Sequence, residues 1–316
     1  MTRVLGATLC AIALAAGQLG AEQSLTVDVD LVNIYFTVCN KHGRPVPNLA
    51  RDSFAIYEDN TLQTVTHFSH ETELPLTLAL LIDTSGSVRY KLDFEQRAAL
   101  EFLHSTLRPG RDEAAVVTFD SSIDVRQDYT NDEQLLANAV RRTRSGGGTR
   151  LYDALFFLVN GPLASREGRR AIIVLTDGDD NSSRRSQSEV LTAAQRHNVS
   201  IYAISVNSVG FGLFADSEPK DGVLETLASE TGGKAFFPQS TKALFTYFSA
   251  ISKELRSQYT IAYRSTNPQR DGTYRQVRIQ VQDPRYMVRA RAGYYAPTPV
   301  MAAAEGAYEG SLVVTK

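Results

Sequence analysis

The sequence predicts an α/β fold: a doubly wound, mostly parallel sheet with helices on both faces, inserted into a β-sandwich formed by the two flanks of the chain. Three observations carry this. Four apolar runs, LTLALLID (76–83), AAVVTF (114–119), AIIVLT (171–176) and SIYAISV (200–206), are separated by stretches of helical spacing at 90–107, 132–144, 151–159 and 186–197. Strands apolar on both faces that alternate with helices belong in a parallel sheet covered on both sides. The flanks at 25–70 and 258–295 show strand-like alternation and no helical period. Neither has enough strands to bury two faces alone, so the two are expected to fold together.

The elements follow in order. MTRVLGATLCAIALAAGQLGAEQ combines Arg3, an apolar stretch and small residues before Glu22. That is the pattern of a secretory signal peptide over 1–21, shorter than the roughly 20 apolar residues of a membrane span. The mature chain is expected to be secreted, periplasmic or held at the cell envelope, with no membrane span after cleavage; a signal retained uncleaved as an anchor is the alternative. Residues 25–70 supply the first sandwich strands, SLTVDVDLVNIYFTVCN, SFAIYEDN and LQTVTHFS, around the turn-rich HGRPVPN. The α/β unit is expected over 75–257, with IDVRQDYT (123–130) as an added strand, VLETLASETGG as a helix ended by Gly232, KAFFP as a short last strand and 241–257 as a closing helix. That helix runs into the strand at Tyr259 with no Gly or Pro between them. QYTIAYRST, YRQVRIQVQ and YMVRARAGYYA then complete the sandwich over 258–296, and 297–316 reads as a flexible tail.

Composition removes several function classes. Lys and Arg number 33 against 35 Asp and Glu, so no basic field invites nucleic acid. Of the two cysteines, Cys10 leaves with the signal peptide, and Cys39, alone in an apolar strand, reads as a small buried hydrophobe. The histidines His42, His67, His70, His104 and His197 fall in no zinc-ligand spacing.

The chemistry concentrates in three segments. Asp83, Ser85 and Ser87 follow the first apolar run, SGGGTRLYDAL supplies Thr149, and AIIVLTDGDD supplies Asp177. In a parallel sheet all three reach the same edge, where they can share one ion. Hydroxyls and carboxylates are hard oxygen ligands suited to Mg²⁺, which keeps several waters and takes only one or two carboxylates; Mn²⁺ or Ca²⁺ also accepts such donors. Neutral hydroxyls under-compensate a divalent charge, which leaves the ion attractive to an outside carboxylate. Singly, each residue has a commoner structural reading: Ser87 as a helix N-cap, Gly146 to Gly148 as a turn, Asp177-Gly178 as a turn after a strand. Their joint order is what singles them out. Asp120, Asp153, Asp179 and Asp180 lie nearby with no ligand position assigned. Asp83→Ala and Asp177→Ala are expected largely to spare the fold, because these residues sit on an exposed edge.

DTSGS, the threonine of GGGT and the aspartate of LTDG resemble the metal-ion-dependent adhesion site of von Willebrand factor type A (VWA) domains, over roughly 75–257. The resemblance implies Ser85, Ser87 and Thr149 as hydroxyl ligands, Asp83 and Asp177 bound directly or through water, and a Glu or Asp of a protein ligand in the sixth position. GRPVPNLARDSFAIYEDNTLQTVTHFS, DGTYRQVRIQV and VRARAGYYAP resemble the acidobacterial-type VWFA-related domain proteins across nearly all of 25–297, which implies the architecture and no ligand. The function expected is a metal-dependent, adhesion-type protein-binding module and not an enzyme. A hydrolase on the same site needs a positioned general base that no His, Lys or further carboxylate supplies here. No G-x-S-x-G occurs, and TGGKA (231–235) lacks the glycine spacing and the Ser or Thr of a phosphate loop. A structural envelope scaffold is the other alternative.

Overall fold

The computed structural model describes residues 31–70, 74–206 and 221–298. The expected signal peptide, residues 22–30 and the tail from 299 onward lie outside them. The chain begins with β1 (Leu31–Asn40), β2 (Phe54–Glu58), β3 (Thr61–Leu62) and β4 (Val65–His70). The α/β unit follows: β5 (Leu76–Asp83), α1 (Leu92–Thr106), β6 (Glu113–Phe119), β7 (Ile123–Thr130), α2 (Glu133–Arg141), α3 (Leu151–Asn160), β8 (Arg169–Thr176), α4 (Gln187–Arg196), β9 (Val199–Ser205), α5 (Asp221–Glu230), β10 (Ala235–Phe236) and α6 (Thr241–Leu255). Four strands close the chain: β11 (Tyr259–Arg264), β12 (Tyr274–Val281), β13 (Tyr286–Ala290) and β14 (Gly293–Tyr295).

Every residue of β5 is buried, because it is the middle of a six-stranded sheet ordered β10-β9-β8-β5-β6-β7 and carries helices on both faces. Side chains alternate between the faces. Leu76, Leu78, Leu80 and Ile82 join the cluster beneath α1, α2 and α6, while Ala79 and Leu81 join the one beneath α3, α4 and α5. All pairings are parallel except β6 with β7, the added strand, which runs antiparallel. Local signals set the helix starts: Asp132 caps α2, and Ser186 with Glu189 forms a capping box on α4. The chain leaves β5 toward β6 on one side and returns to β8 on the other, so the topological switch falls between β5 and β8.

The flanking strands interleave. One antiparallel sheet is ordered β13-β1-β11-β4 and the other β14-β12-β2-β3, so each mixes strands from both ends of the chain. Ile34 and Phe36 of β1, Ile56 of β2, Tyr259 and Ile261 of β11 and Ile279 of β12 form one core between them. The single run YMVRARAGYYA becomes two strands, since the chain passes from one sheet to the other at Arg291 and Ala292. Buried arginines tie this part to the α/β unit. Arg291 donates to the carbonyls of Gln195 (2.8 Å) and Asn33 (2.9 Å), and Arg169 to those of Leu74 (2.8 Å) and Leu255. Glu254 near the end of α6 accepts from the Tyr202 hydroxyl (2.8 Å) and pairs with Arg289. Cys39 is buried in β1, where desolvation raises its thiol pKa.

Candidate metal centre

The topological switch brings the ends of β5 and β8 side by side, with Ile82 opposite Leu175. Asp83, the last residue of β5, is therefore carried against Thr176, and the Thr176 hydroxyl donates to Asp83 Oδ2 at 2.6 Å. The other oxygen, Oδ1, accepts from the Ser85 amide at 2.9 Å, which folds the chain back over the strand end. Gly86–Val88 then makes a single 3₁₀ turn before α1 begins. In that turn the hydroxyls of Ser85 and Ser87 stand 3.0 Å apart, and Ser87 donates to Asp177 Oδ2 at 2.5 Å. Asp177 follows directly on β8, and its Oδ1 accepts from the Asp179 amide at 3.1 Å.

Thr149 is brought to this edge by backbone. The Gly146 amide donates to the Thr84 carbonyl (2.7 Å) and the Gly86 amide to that of Gly147 (3.2 Å), which seams the glycine loop to the β5 loop. Gly147 has φ +87°, and a Cβ there would stand 2.8 Å from Ser121 Oγ, so the seam requires glycine. On its other side Thr149 is clasped by Asn181, whose side chain accepts from the Thr149 amide (3.0 Å) while the Asn181 and Ser182 amides donate to the Thr149 carbonyl. Asp180 and Asp153 hold the same loops: Asp180 accepts from the Tyr152 amide at the start of α3, and Asp153 accepts from the amides of Arg184 and Arg185. Asp120 closes a turn on the Ser122 amide.

One expectation is corrected. The acids do not sit on an exposed edge: Asp83 is 0% and Asp177 7% exposed, with Ser85 and Thr149 also buried, because the strand ends are roofed by their own loops. Gly86, Ser87 and Gly147 open to solvent, as do Ser121, Asn181 and Ser182 of the surrounding loops. Asp83 thus accepts from two internal donors, the Ser85 amide and the Thr176 hydroxyl, which an Ala there would leave without their acceptor.

Electrostatics follow from this burial. Desolvation pushes the Asp83 pKa up to about 6 against hydrogen bonds from Ser85 and Thr176, and the charge of Asp177 adds to the rise. Lys91, just before α1, is lowered by burial while Asp177 and Glu95 pull it back up. Glu95, in the first turn of α1, is 1% exposed; burial and then the charge of Asp83 push its pKa up to about 8, with Lys91 opposing. Neither Glu95 oxygen has a hydrogen-bond partner among the described residues. Sequence reading missed Glu95, Thr176 and Asn181. For Glu95 a signal existed: it stands at helical spacing from Leu92, Ala98, Ala99 and Phe102, all buried on one stripe.

A model of the von Willebrand factor type A domain matches residues 77–250, more than half of the chain. The chain belongs to this family. This VWA chain is also 26% identical over 182 residues to the uncharacterized protein sll0103 of Synechocystis sp., a match spanning 56% of this chain and 41% of that protein. Among solved structures it is similar to proximal thread matrix protein 1 of the mussel byssus, with a TM-score of 0.50 and 19% identity over 63% of this chain and 51% of that one. It is also similar to that protein with a zinc-occupied MIDAS motif (TM-score 0.49, 19% identity, 63% and 49% coverage). A third is the vWF domain of the pilus tip protein Mfa5 of Porphyromonas gingivalis (TM-score 0.47, 13% identity, 58% and 95% coverage). At 19% identity the likeness to the byssus protein at a TM-score of 0.50 is one of fold.

The donor set fits a divalent cation. The roofed edge gathers hard oxygen donors, two of them on buried acids, and the first turn of α1 carries a third buried acid, Glu95, with no hydrogen-bond partner among the described residues. Buried carboxylates of this density call for positive charge.

Proposed function

We propose that this VWA chain is a protein-binding module of adhesion type that captures a Glu or Asp side chain of its partner through a bound Mg²⁺. Ser85, Ser87 and Thr149 would hold the ion by their hydroxyls, with Asp83 and Asp177 binding it directly or through water; Mn²⁺ or Ca²⁺ suits the same donors. Once bound, the ion supplies a Lewis-acidic charge that an outside carboxylate can complete. The hydrogen-bonded series Ser85–Ser87–Asp177 carries the reading, because it aligns hydroxyls and a carboxylate from two strand ends beside the exposed Gly86 and Ser87. Both oxygens of Asp83 already accept hydrogen bonds inside the protein, which suits a role behind water. Tyr90, 85% exposed and three residues past Ser87, offers an aromatic contact beside the mouth.

The domain division proposed with this function is a VWA unit over 75–257 carried on a sandwich built from 25–70 and 258–296. Secretion or retention at the envelope rests on the character of residues 1–21. Among the described residues no helix is long and apolar enough to cross a membrane. The test is capture on immobilised peptides that display a single Glu or Asp, with Gln and Asn peptides as controls, in Mg²⁺ and in EDTA. Retention that needs both the carboxylate and the metal is expected; retention indifferent to either one overturns the proposal.

A further inference from the structure

A glutamate facing the core is out of place on an amphipathic helix. The stripe of α1 that packs on the sheet is Leu92, Ala98, Ala99 and Phe102, and Glu95 sits among them, 1% exposed. A leucine or methionine there would fill the space with no polar group to desolvate. Buried carboxyls in a folded chain normally find donors. Both oxygens of Glu95 lack one among the described residues.

Its surroundings say what it awaits. The charged groups that act on Glu95 are Asp83 at the end of β5, Asp177 after β8 and Lys91 one turn earlier, so two of the three are acids of the candidate cation site. Among the described residues no group of three or more His, Cys, Asp or Glu stands close enough to ligate one ion directly. Glu95 sits on the stripe of α1 that packs in one cluster with Ile82, Val88 and Leu175, the chain neighbours of Asp83, Ser87 and Thr176, so it lies on the buried side of the strand ends.

We propose that Glu95 is a positioning carboxyl of the cation site, acting on the bound ion through water from the buried side. This inference rests on the cation reading above. Mg²⁺ keeps several of its waters, and each bound water presents protons that need acceptors. On the open side the solvent or a partner supplies them. On the buried side Glu95 brings an unengaged acceptor pair, held by a rigid helix that starts only five residues after Ser87. Outer carboxyls of this kind fix the orientation of inner ligands and typically contribute ten- to hundredfold in metal affinity. The competing account is a core acid that simply stays protonated, in which case its neutral isostere leaves metal binding untouched.

The experiment compares the full chain with Glu95→Gln and Glu95→Asp, using Mg²⁺ and Mn²⁺ titration calorimetry and thermal melting in EDTA. Glu95→Gln keeps shape and removes charge. It should melt in EDTA at or above the parent temperature yet bind Mg²⁺ about tenfold more weakly, while Glu95→Asp retains part of the affinity. Parent-like affinity in Glu95→Gln overturns the proposal. So does a Glu95→Gln chain that loses its fold in EDTA, since the carboxyl would then be holding the helix and not the ion. If the parent itself binds neither metal, the cation reading falls and takes this inference with it, an outcome distinct from a parent that binds and a variant that binds equally well.

Discussion

Two buried glutamates of this chain live in opposite circumstances. Glu58, at the end of β2, is 2% exposed and accepts from the hydroxyls of Tyr263 (2.8 Å), Tyr294 (2.9 Å) and Ser265, with Arg275 at 3.4 Å. Glu95 is equally buried and accepts from no described residue. The sandwich satisfies its acid from within, with donors drawn from β11, β12 and β14. The α/β unit leaves its acid, in the first turn of α1, without a donor among the described residues. A fully bonded buried network rigidifies a core, while an unbonded polar group is costly unless something from outside completes it. Degree of satisfaction, rather than burial, separates the structural acid from the acid of a site.

The comparison can be broken on the sandwich side first. A chain ending at Ser257 loses β11 and β13, the two neighbours of β1, and β12, the neighbour of β2. Amides of residues 31–70 should then exchange with solvent at close to unfolded rates, because two or three strands without a second layer are marginal in water. Protection equal to that of the full chain would show that the flanks are independent.

A sharper cut is Glu58→Ala, which strands Tyr263, Tyr294 and Arg275 without their shared acceptor. We expect a loss of about 3–5 kcal/mol in urea unfolding. Glu95→Gln, measured in EDTA, should change stability by less than about 1 kcal/mol. Equal losses from the two substitutions would erase the distinction drawn here.

Asp112 extends it to pH. Burial raises this carboxyl, but hydrogen bonds from the side chains of Arg108 and Arg256 and the amides of Arg108 and Leu76 outweigh that and hold its pKa at about 2. A depressed carboxylate stabilises the fold above its unfolded value near 4 and loses that contribution as pH falls toward 2. Asp112→Asn should therefore flatten the stability profile between about pH 4 and 2, by on the order of 2 kcal/mol. An unchanged acid limb would contradict the assignment. The smallest effect is expected at Tyr90: Tyr90→Ala should weaken capture of the acidic peptide severalfold, about 1 kcal/mol, while Mg²⁺ affinity by calorimetry stays at the parent value. A fall in both would place Tyr90 within the ion site and not beside it.

Much of this architecture is legible in the sequence, for physical reasons. LTLALLID and AIIVLT are apolar throughout because both faces of their sheet are covered, and a strand that ends abruptly on an acid announces where the covered region stops. Gly147 before Thr149 marks backbone that a side chain would block, and Gly178 after Asp177 takes a left-handed φ of +83°. What escapes the sequence depends on tertiary placement. Glu95 lies in LDFEQRAALEFL among other charged residues, and although its helical spacing puts it on the buried stripe, that it finds no donor there is visible only in the fold. Asn181 sits in a polar loop that reads as solvated, yet its side chain clasps Thr149. The alternation of YMVRARAGYYA runs on unbroken although the strand changes sheets within it, since period two cannot report which neighbour a strand takes.

The most direct test of the central claim, a divalent cation held at the switch between β5 and β8, is anomalous diffraction from crystals grown with Mn²⁺. One peak is expected, bounded by the hydroxyls of Ser85, Ser87 and Thr149 and the carboxylates of Asp83 and Asp177, and absent in Asp177→Asn. Manganese bound elsewhere, or no peak at this edge when the metal saturates the protein in solution, would contradict it.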